Sequence, residues 1–175
     1  DLRIFRNNME LLEVIKKRRS IRKYKKEAPS DELIKKCIEA ACYAPSSRNS
    51  QPWKFLIVKD KEKILALSKT QPYSAFLANA PVVIVALAEE EKSPRHWIED
   101  LSCAITLLML RATDLGLATC WNAVYSPDNK EREDYVRSIL GISTKYRVLA
   151  NIALGYPDEK PSEKKIKSFE EVTRI

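Results

Sequence analysis

Glycine is scarce in this sequence, and its scarcity excludes two common ways of binding a phosphate. Only three of the 175 residues are glycine, at positions 116, 141 and 155. A dinucleotide-binding turn needs a Gly-x-Gly-x-x-Gly pattern and a P-loop needs two glycines at a fixed spacing, so neither motif is present. If the chain binds a phosphate, side chains must supply more of the contacts than a glycine-rich backbone would.

Histidine and closely spaced cysteines are nearly absent as well. His96 is the only histidine, and the four cysteines include no Cys-x-x-Cys pair. This pattern is typical neither of a zinc site nor of a secreted disulfide framework. Because free cysteine behaves as a small hydrophobe, we expect all four thiols in or near the core: Cys37, Cys42, Cys103 and Cys120. His96 is a candidate general base, but its place beside Trp97 favours a structural role.

Long hydrophobic runs are also missing. The longest uncharged stretch of the apolar region, residues 101–110, has ten residues, and a membrane-spanning helix needs about 20. Residues 1–6 contain no uninterrupted apolar segment and no small-residue cleavage site, so we expect no secretory signal and a cytoplasmic location. Since 45% of the residues are hydrophobic, we expect one domain over residues 1–175, with a core at about 9–157 and a C-terminal arm at about 158–175.

The net charge of +7 comes from one short segment. Residues 16–26 contain eight of the 31 basic side chains and no acidic one, while the remaining 23 basic residues face 24 acidic ones. Such a segment suits an anionic ligand, a nucleic-acid backbone or a solvated helix end, and charge alone does not choose among them. Within it, residues 18–22 supply guanidinium groups and a hydroxyl that are able to hold a phosphate.

Strands and helices alternate along the chain. The apolar spacing predicts helices at about 9–19, 31–44, 61–69, 96–115 and 127–141, and strands at 53–58, 81–88, 118–124 and 147–154. Ser30, Asp60 and Ser126 are the predicted N-caps of three of these helices. Alternation alone favours a parallel α/β sheet. The helix at 96–115 is apolar on most sides, which is typical of a subunit interface or a domain centre.

A polar loop joins the second helix to the first strand. Its serines, asparagine and glutamine offer several hydrogen-bond donors and acceptors between Pro45 and Pro52, and Trp53 follows at once. A loop of this kind is able to read the polar edge of a flat heterocycle. The alternative is an ordinary helix-to-strand connection whose hydroxyls bond to their own backbone.

Five segments in this order make the chain resemble the FMN-dependent nitroreductase family. The two most specific are an Arg-Arg-Ser-x-Arg segment at 18–22 and a Pro-Ser-Ser-x-Asn-x-Gln-Pro-Trp loop at 45–53. The others are the strand opening at 79–83, the Leu-Gly-Leu-Ala-Thr-Cys-Trp segment at 115–121 and the Leu-Gly-Tyr-Pro segment at 154–157. The resemblance covers roughly residues 9–172.

The resemblance implies an α+β, nitroreductase-like fold. In that fold a central, mostly antiparallel sheet is flanked by helices, and two chains form an intertwined homodimer with two flavin sites at the interface. Because periodicity does not reveal strand direction, we adopt the antiparallel sheet over the parallel one that the alternation favours.

The resemblance also implies which residues bind the FMN. Its phosphate and ribityl chain would be held by Arg18, Arg19, Ser20 and Arg22. From the partner subunit, the same flavin would be approached by the loop residues Pro45, Ser46, Ser47, Asn49 and Gln51.

Two further segments complete the implied site. At Asn122 and Ala123 a backbone N–H would reach the flavin N5 atom, although the family usually has glycine where Ala123 stands. In the tail, Lys164 matches a phosphate-binding lysine. Ile166 replaces the expected arginine, so Lys165 or Lys167 would serve instead as a point charge.

The implied activity is that of an FMN-dependent oxidoreductase. NAD(P)H would give hydride to flavin N5 and then leave, and a nitroaromatic, a quinone or a similar small oxidant would take the electrons in a ping-pong cycle. Because the chemistry belongs to the cofactor, no catalytic side chain or metal is expected. Neither a nucleic acid nor a membrane is expected as a partner. The segment at 88–95 is short, which predicts an open pocket.

Three alternatives remain open at this stage. A non-catalytic flavin-binding or storage protein would keep every binding residue. A specialised flavin enzyme, such as a dehalogenase or an enone reductase, would share the same segments. A nucleic-acid module would use the basic segment together with exposed aromatic rings, but basic residues elsewhere are balanced by acidic ones and no groove-reading or strand-reading motif is present.

Overall fold

The computed structural model describes residues 10–174. Two sequence predictions lie outside these residues: the absence of a secretory signal at 1–6 and the start of the first helix at Met9. Within the described residues, no helix has the length and apolar character needed to cross a membrane.

A four-stranded antiparallel sheet forms the centre of the fold. Its strands are β1 (Trp53–Val58), β2 (Val82–Glu89), β3 (Ala118–Ala123) and β4 (Tyr146–Gly155). They lie in the order β1-β2-β4-β3, and each neighbouring pair is antiparallel. The parallel sheet favoured by the alternation of elements is therefore wrong, and the α+β fold with an antiparallel sheet is confirmed.

Helices cover both faces of this sheet. The described helices are α1 (Leu11–Lys17), α2 (Asp31–Cys42), α3 (Lys61–Leu67), α4 (Trp97–Asp114), α5 (Glu131–Leu140) and α6 (Phe169–Val172). On one face α2 and α4 pack together against the even-numbered residues of β2, while α3 and α5 cover the odd-numbered ones. Strand β2 is apolar and buried from Val82 to Ala88 because both of its faces are covered.

Two of the three predicted N-caps are present. The Ser30 and Asp60 side chains accept hydrogen bonds from the first turns of α2 and α3, as the sequence predicts. The prediction of a helix starting after Ser126 is wrong. Helix α5 begins at Glu131, whose N–H donates to the Asn129 side chain at 2.9 Å, so the Ser126 segment forms a turn before it.

The prediction for the cysteines is half wrong. Cys37 and Cys120 are buried, but Cys42 and Cys103 are exposed. Cys42 is the last residue of α2, where the helix leaves the core. Cys103 lies between the buried positions of α4, which recur every three or four residues and face the sheet. Burial raises the pKa of the Cys37 thiol to about 12, so that thiol stays protonated and serves as a packing group.

Gly155, at the end of β4, is required by close packing. A methyl group at this position would lie 2.8 Å from Pro81 Cδ and 3.0 Å from Tyr24 Cδ1. We expect Gly155→Ala to lower the free energy of unfolding by about 1–3 kcal/mol, because the rigid proline ring leaves the methyl no space. Urea denaturation followed by circular dichroism measures the change, with the exposed Thr144→Ala as the matched control. An unchanged unfolding midpoint for Gly155→Ala would show that the packing relaxes without cost.

Candidate functional site

The basic segment predicted to bind phosphate runs along the open edge of β3. Ser20 forms a parallel bridge with Thr119, and the Ile21 N–H donates to the Thr119 carbonyl at 3.1 Å. Ile21 and Tyr24 are buried while Arg22 is exposed. The apolar side chains thus anchor the segment to the sheet and leave its charged groups at the surface.

The C-terminal arm crosses this segment. The Glu159 carboxylate accepts a hydrogen bond from the Arg22 backbone N–H at 2.5 Å, and the Ser162 carbonyl accepts one from Arg19 Nε at 3.5 Å. The arm and the segment enclose a cleft of about 220 Å³. The predicted tail ligands Lys164 and Lys165 follow within three residues of Ser162 and are exposed.

The end of β3 presents a backbone N–H to the same open edge. The Val124 N–H donates to the Leu149 carbonyl at 3.0 Å, and the backbone groups of an antiparallel strand point alternately toward and away from the partner strand. The Ala123 N–H therefore points away from β4. Ala123 is not among the described residues with a positive φ, so alanine is accommodated here without the conformational freedom of glycine.

A 3₁₀ helix at Pro72–Asn79 fixes this strand end. Gln71 Nε2 donates to the Ala123 carbonyl at 2.7 Å, and the Asn122 amide donates to Ser74 Oγ at 2.9 Å. The Arg22 guanidinium lies 5.7 Å from the centre of the Phe76 ring, within cation–π range. Sequence reasoning missed Gln71, Ser74 and Phe76; Pro72 signals a turn there, but no local pattern pairs that turn with β3.

The polar loop is held in a specific shape by α4. The Ser47 N–H donates to the buried Asp100 carboxylate at 2.9 Å, and the Gln51 N–H donates to Ser46 Oγ at 3.0 Å. Asn49 Oδ1 accepts from the Gln51 amide at 3.1 Å. Arg48, Asn49 and Gln51 all have positive φ values, between 45° and 54°. The loop is thus held both by Ser46, which bonds to the loop's own backbone, and by Asp100 of α4.

The two predicted halves of the site are far apart within one chain. The loop contacts α4 at Asp100, whereas the cleft beside the basic segment is lined by Thr113 at the other end of that helix. At 1.5 Å per residue these two positions are about 20 Å apart. The structure therefore does not bring the two sets of residues together around one small ligand within a single chain.

The groups at the β3 edge fit a phosphorylated flavin. The Arg18 and Arg22 guanidinium groups make no salt bridge within residues 10–174. Thr119 Oγ1 is buried without a hydrogen-bond partner at the strand position that pairs with Ser20. Free guanidinium groups suit a phosphate, and the outward Ala123 N–H suits a ring nitrogen farther along the same edge.

Two further candidates for an activated side chain are Cys120 and His96. Cys120 lies beneath the basic segment, and burial raises the pKa of its thiol, so it is not an activated nucleophile. His96 is exposed, with its Nδ1 atom 3.9 Å from Glu99. His96 is therefore not packed in the core, but it is the N-cap residue of α4 and its carbonyl accepts a hydrogen bond from the Asp100 N–H at 2.8 Å. Its structural role stays a prediction.

Comparisons with known proteins identify the family to which this fold belongs. The model of the nitroreductase family matches residues 15–71 and 65–156. A protein of Archaeoglobus fulgidus named "Putative NADH dehydrogenase/NAD(P)H nitroreductase" is 39% identical over 155 residues, which cover 86% of this chain and 88% of that protein. The crystallised FMN-dependent nitroreductase of Clostridium difficile is 38% identical with a TM-score of 0.81, covering 92% of this chain and 94% of its own.

A further solved structure extends the same result. A nitroreductase family protein of Clostridium novyi is 34% identical with a TM-score of 0.77, and the match covers 90% of this chain and 89% of that one. The family model spans most of the described residues, and its two segments include the basic segment, the polar loop and the end of β3. The chain belongs to the nitroreductase family.

Proposed function

We propose that this protein is an FMN-dependent oxidoreductase that transfers hydride from NAD(P)H to a small oxidant such as a nitroaromatic or a quinone. The observation that carries the proposal is the single edge of β3, which is lined by guanidinium groups at one end and by the outward Ala123 N–H at the other. The names of the relatives support the same activity, since they specify NAD(P)H and FMN.

The chain's own residues would bind and orient the cofactor. Arg18, Arg19 and Arg22 would hold the phosphate by charge-assisted hydrogen bonds, and Ser20 would bond to the ribityl chain. Bound FMN supplies the redox chemistry, because its N5 atom accepts hydride and later returns the electrons. The Ala123 N–H would hydrogen-bond to that atom, and Gln71 would hold the strand end in place through its hydrogen bond to the Ala123 carbonyl on the same edge.

We also propose that two chains share each site. The polar loop and the basic segment lie at opposite ends of α4, so Pro45, Ser46, Ser47, Asn49 and Gln51 would reach the flavin only from a partner subunit. Helix α1 exposes Leu11, Leu12 and Ile15, and α6 exposes Phe169 and Val172. Such apolar helix faces are suited to a large homodimer interface.

The tail would add charge to the phosphate site. The contacts of Glu159 and Ser162 place the arm on the basic segment, and Lys164 is the next basic residue after them. Ile166 is exposed and offers no charge, so Lys165 would act as the second cation of the arm. The single domain and the cytoplasmic location stay predictions.

The first test is the visible spectrum of the purified protein before and after anaerobic addition of NAD(P)H. A flavin spectrum that bleaches is the expected result. In the Arg18→Ala/Arg22→Ala variant we expect at least about a hundredfold loss of FMN affinity, because each lost guanidinium removes about 1.5–3 kcal/mol of charge-assisted hydrogen bonding. Undiminished FMN content in the folded variant would contradict the phosphate assignment.

The same experiment separates the alternatives. A flavin that binds but does not bleach would favour a carrier protein. Bleaching followed by fast reoxidation with a halogenated aromatic compound or an enone, but not with quinones, would favour a specialised reductive enzyme. A colourless protein that also refuses added FMN would overturn the proposed function.

A further inference from the structure

A second cleft lies beside the polar loop, outside the β3 edge. Its volume is about 410 Å³, and it is formed between the loop and the connection from β2 to α4. The lining residues are Ser47, Arg48, Lys92, Ser93, Pro94, Arg95 and His96. Two arginines, one lysine and the only histidine of the chain thus surround one concave surface.

The positive charge of this cleft is only partly neutralised. Lys92 is paired with Glu89 at 2.9 Å, and His96 lies 3.9 Å from Glu99. Arg48 and Arg95 take part in no salt bridge of the described residues. Two guanidinium groups are therefore available to an anion.

The nearest buried carboxylate does not cancel this charge by direct pairing. Asp100 accepts hydrogen bonds from the Ser47 N–H at 2.9 Å and from Ser93 Oγ at 2.7 Å. Ser50 Oγ lies 3.5 Å from the same carboxylate. Asp100 therefore holds the two walls of the cleft together, since Ser47 and Ser93 lie on opposite sides of it.

The position of the cleft connects it to the proposed reaction. Ser47 lines the cleft and is also one of the loop residues proposed to approach the flavin from the partner subunit. A ligand in the cleft would therefore lie at the rim of the flavin site. A nitroaromatic or a quinone without charge offers guanidinium groups no anion for an ion pair, whereas a phosphate accepts two charge-assisted hydrogen bonds from their paired N–H groups.

We propose that this cleft binds the phosphate groups of the dinucleotide hydride donor, with Arg95 as a principal contact. This inference rests on the proposed function. It assigns recognition of the donor to the polar loop and the β2–α4 connection. The FMN phosphate is assigned to a different part of the chain, the basic segment. Arg95 lies outside the proposed flavin-binding residues, so a substitution there tests the donor alone.

The test measures the anaerobic bleaching rate of the FMN-loaded protein against donor concentration. This dependence separates the apparent Kd of the donor from the limiting rate of bleaching. We expect Arg95→Ala to raise the apparent Kd for NADH and NADPH about tenfold and to leave the limiting rate unchanged. The donor 1-benzyl-1,4-dihydronicotinamide has no phosphate, so its apparent Kd should not change.

Two further variants sharpen the result. Arg95→Lys keeps the charge but loses the paired N–H groups, so it should restore only part of the donor affinity. Arg132→Ala removes an arginine from α5, which packs on the other face of the sheet, and should behave as the unsubstituted protein. Added salt should weaken NADH binding more in the unsubstituted protein than in Arg95→Ala. Salt screens the attraction between the Arg95 charge and the phosphate, and the variant has no charge at this position.

Several outcomes would overturn the inference. One is an equal change, or no change, in the apparent Kd of the phosphate-bearing and phosphate-free donors. Another is an effect confined to reoxidation by a carboxylated quinone, which would assign the cleft to an acidic oxidant. A flavin that no donor bleaches would overturn both this inference and the proposed function, whereas bleaching that does not depend on Arg95 would overturn this inference alone.

Discussion

Arg147→Ala is expected to lower the free energy of unfolding by about 2–4 kcal/mol, because it removes one of the two arginines that neutralise the buried Glu133 carboxylate and leaves it with Arg137. Arg147 Nη2 lies 2.8 Å from Glu133 Oε1, and the Glu133 side chain is only 2% exposed. The same guanidinium donates to Glu90 at 3.0 Å and lies 4.8 Å from the centre of the Trp97 ring. One side chain thus joins α5, β4, the β2–α4 connection and α4.

Thermal and urea denaturation measure this loss of stability. The control is Arg132→Ala, which removes an arginine of α5 that lies outside the charged cluster of Glu90, Glu133 and Arg147. It should change the free energy of unfolding by less than about 0.5 kcal/mol. The double variant Glu133→Leu/Arg147→Met should be more stable than Arg147→Ala, since it removes the buried carboxylate together with Arg147 and leaves Arg137 paired with Asp134 at 2.8 Å. If Arg147→Ala unfolds at the same urea concentration as the control, the cluster contributes nothing to stability.

The cluster also makes the free energy of unfolding depend on pH. Burial alone would raise the pKa of Glu133, but hydrogen bonds from Arg147 and the Val148 N–H, with the charges of Arg147 and Arg137, hold that pKa below its usual range. A carboxylate with a lowered pKa in the folded state stabilises the fold above its unfolded pKa, and this contribution is lost as the pH falls through the folded value. The decrease in the free energy of unfolding between neutral and acidic pH should therefore be smaller in Arg147→Ala than in the unsubstituted protein.

Mixed dimers should recover flavin binding that neither parent variant retains. Arg18→Ala/Arg22→Ala removes the cations of each site, and Asn49→Ala removes a contact proposed to come from the partner subunit. In a symmetric dimer every site of each parent is damaged. A dimer with one chain of each kind contains one site with both defects and one site with neither, so it should bind FMN at one of its two sites.

The measurement is the FMN content of hetero-dimers purified through two different affinity tags. Dimers of two identical variant chains, carrying the same pair of tags, are the matched controls. No recovery in hetero-dimers that remain folded and dimeric would contradict a site shared between chains. Retention of FMN by Asn49→Ala at the unsubstituted level would remove Asn49 from the site.

Local pattern was sufficient for much of the fold. Strand β1 occupies the predicted residues, and α4 and the caps at Ser30 and Asp60 were predictable, because hydrophobic period and capping side chains act over a few residues. Strand direction was not predictable in this way. A buried strand such as β2 is apolar from Val82 to Ala88, whichever way its neighbours run, so the antiparallel sheet needed the resemblance to a known family.

The site was predictable as segments but not as an arrangement. The basic segment and the polar loop stand out in the sequence through their composition. The contact between Gln71 and Ala123 joins residues 52 positions apart, and nothing local encodes it. The pairing of Glu133 with Arg147 was equally hidden, because charged residues in a sequence suggest a solvated surface and only the folded chain shows them buried.

The left-handed backbone of the polar loop has a consequence for the entropy of binding. In a chain with three glycines, this turn is made by Arg48, Asn49 and Gln51, which are more restricted than glycine in the unfolded state. Such residues lose less conformational freedom when the loop forms, and Asp100 then holds it in place. The loop is therefore already ordered before any ligand arrives. Binding of a ligand to the loop should then cost little additional conformational entropy.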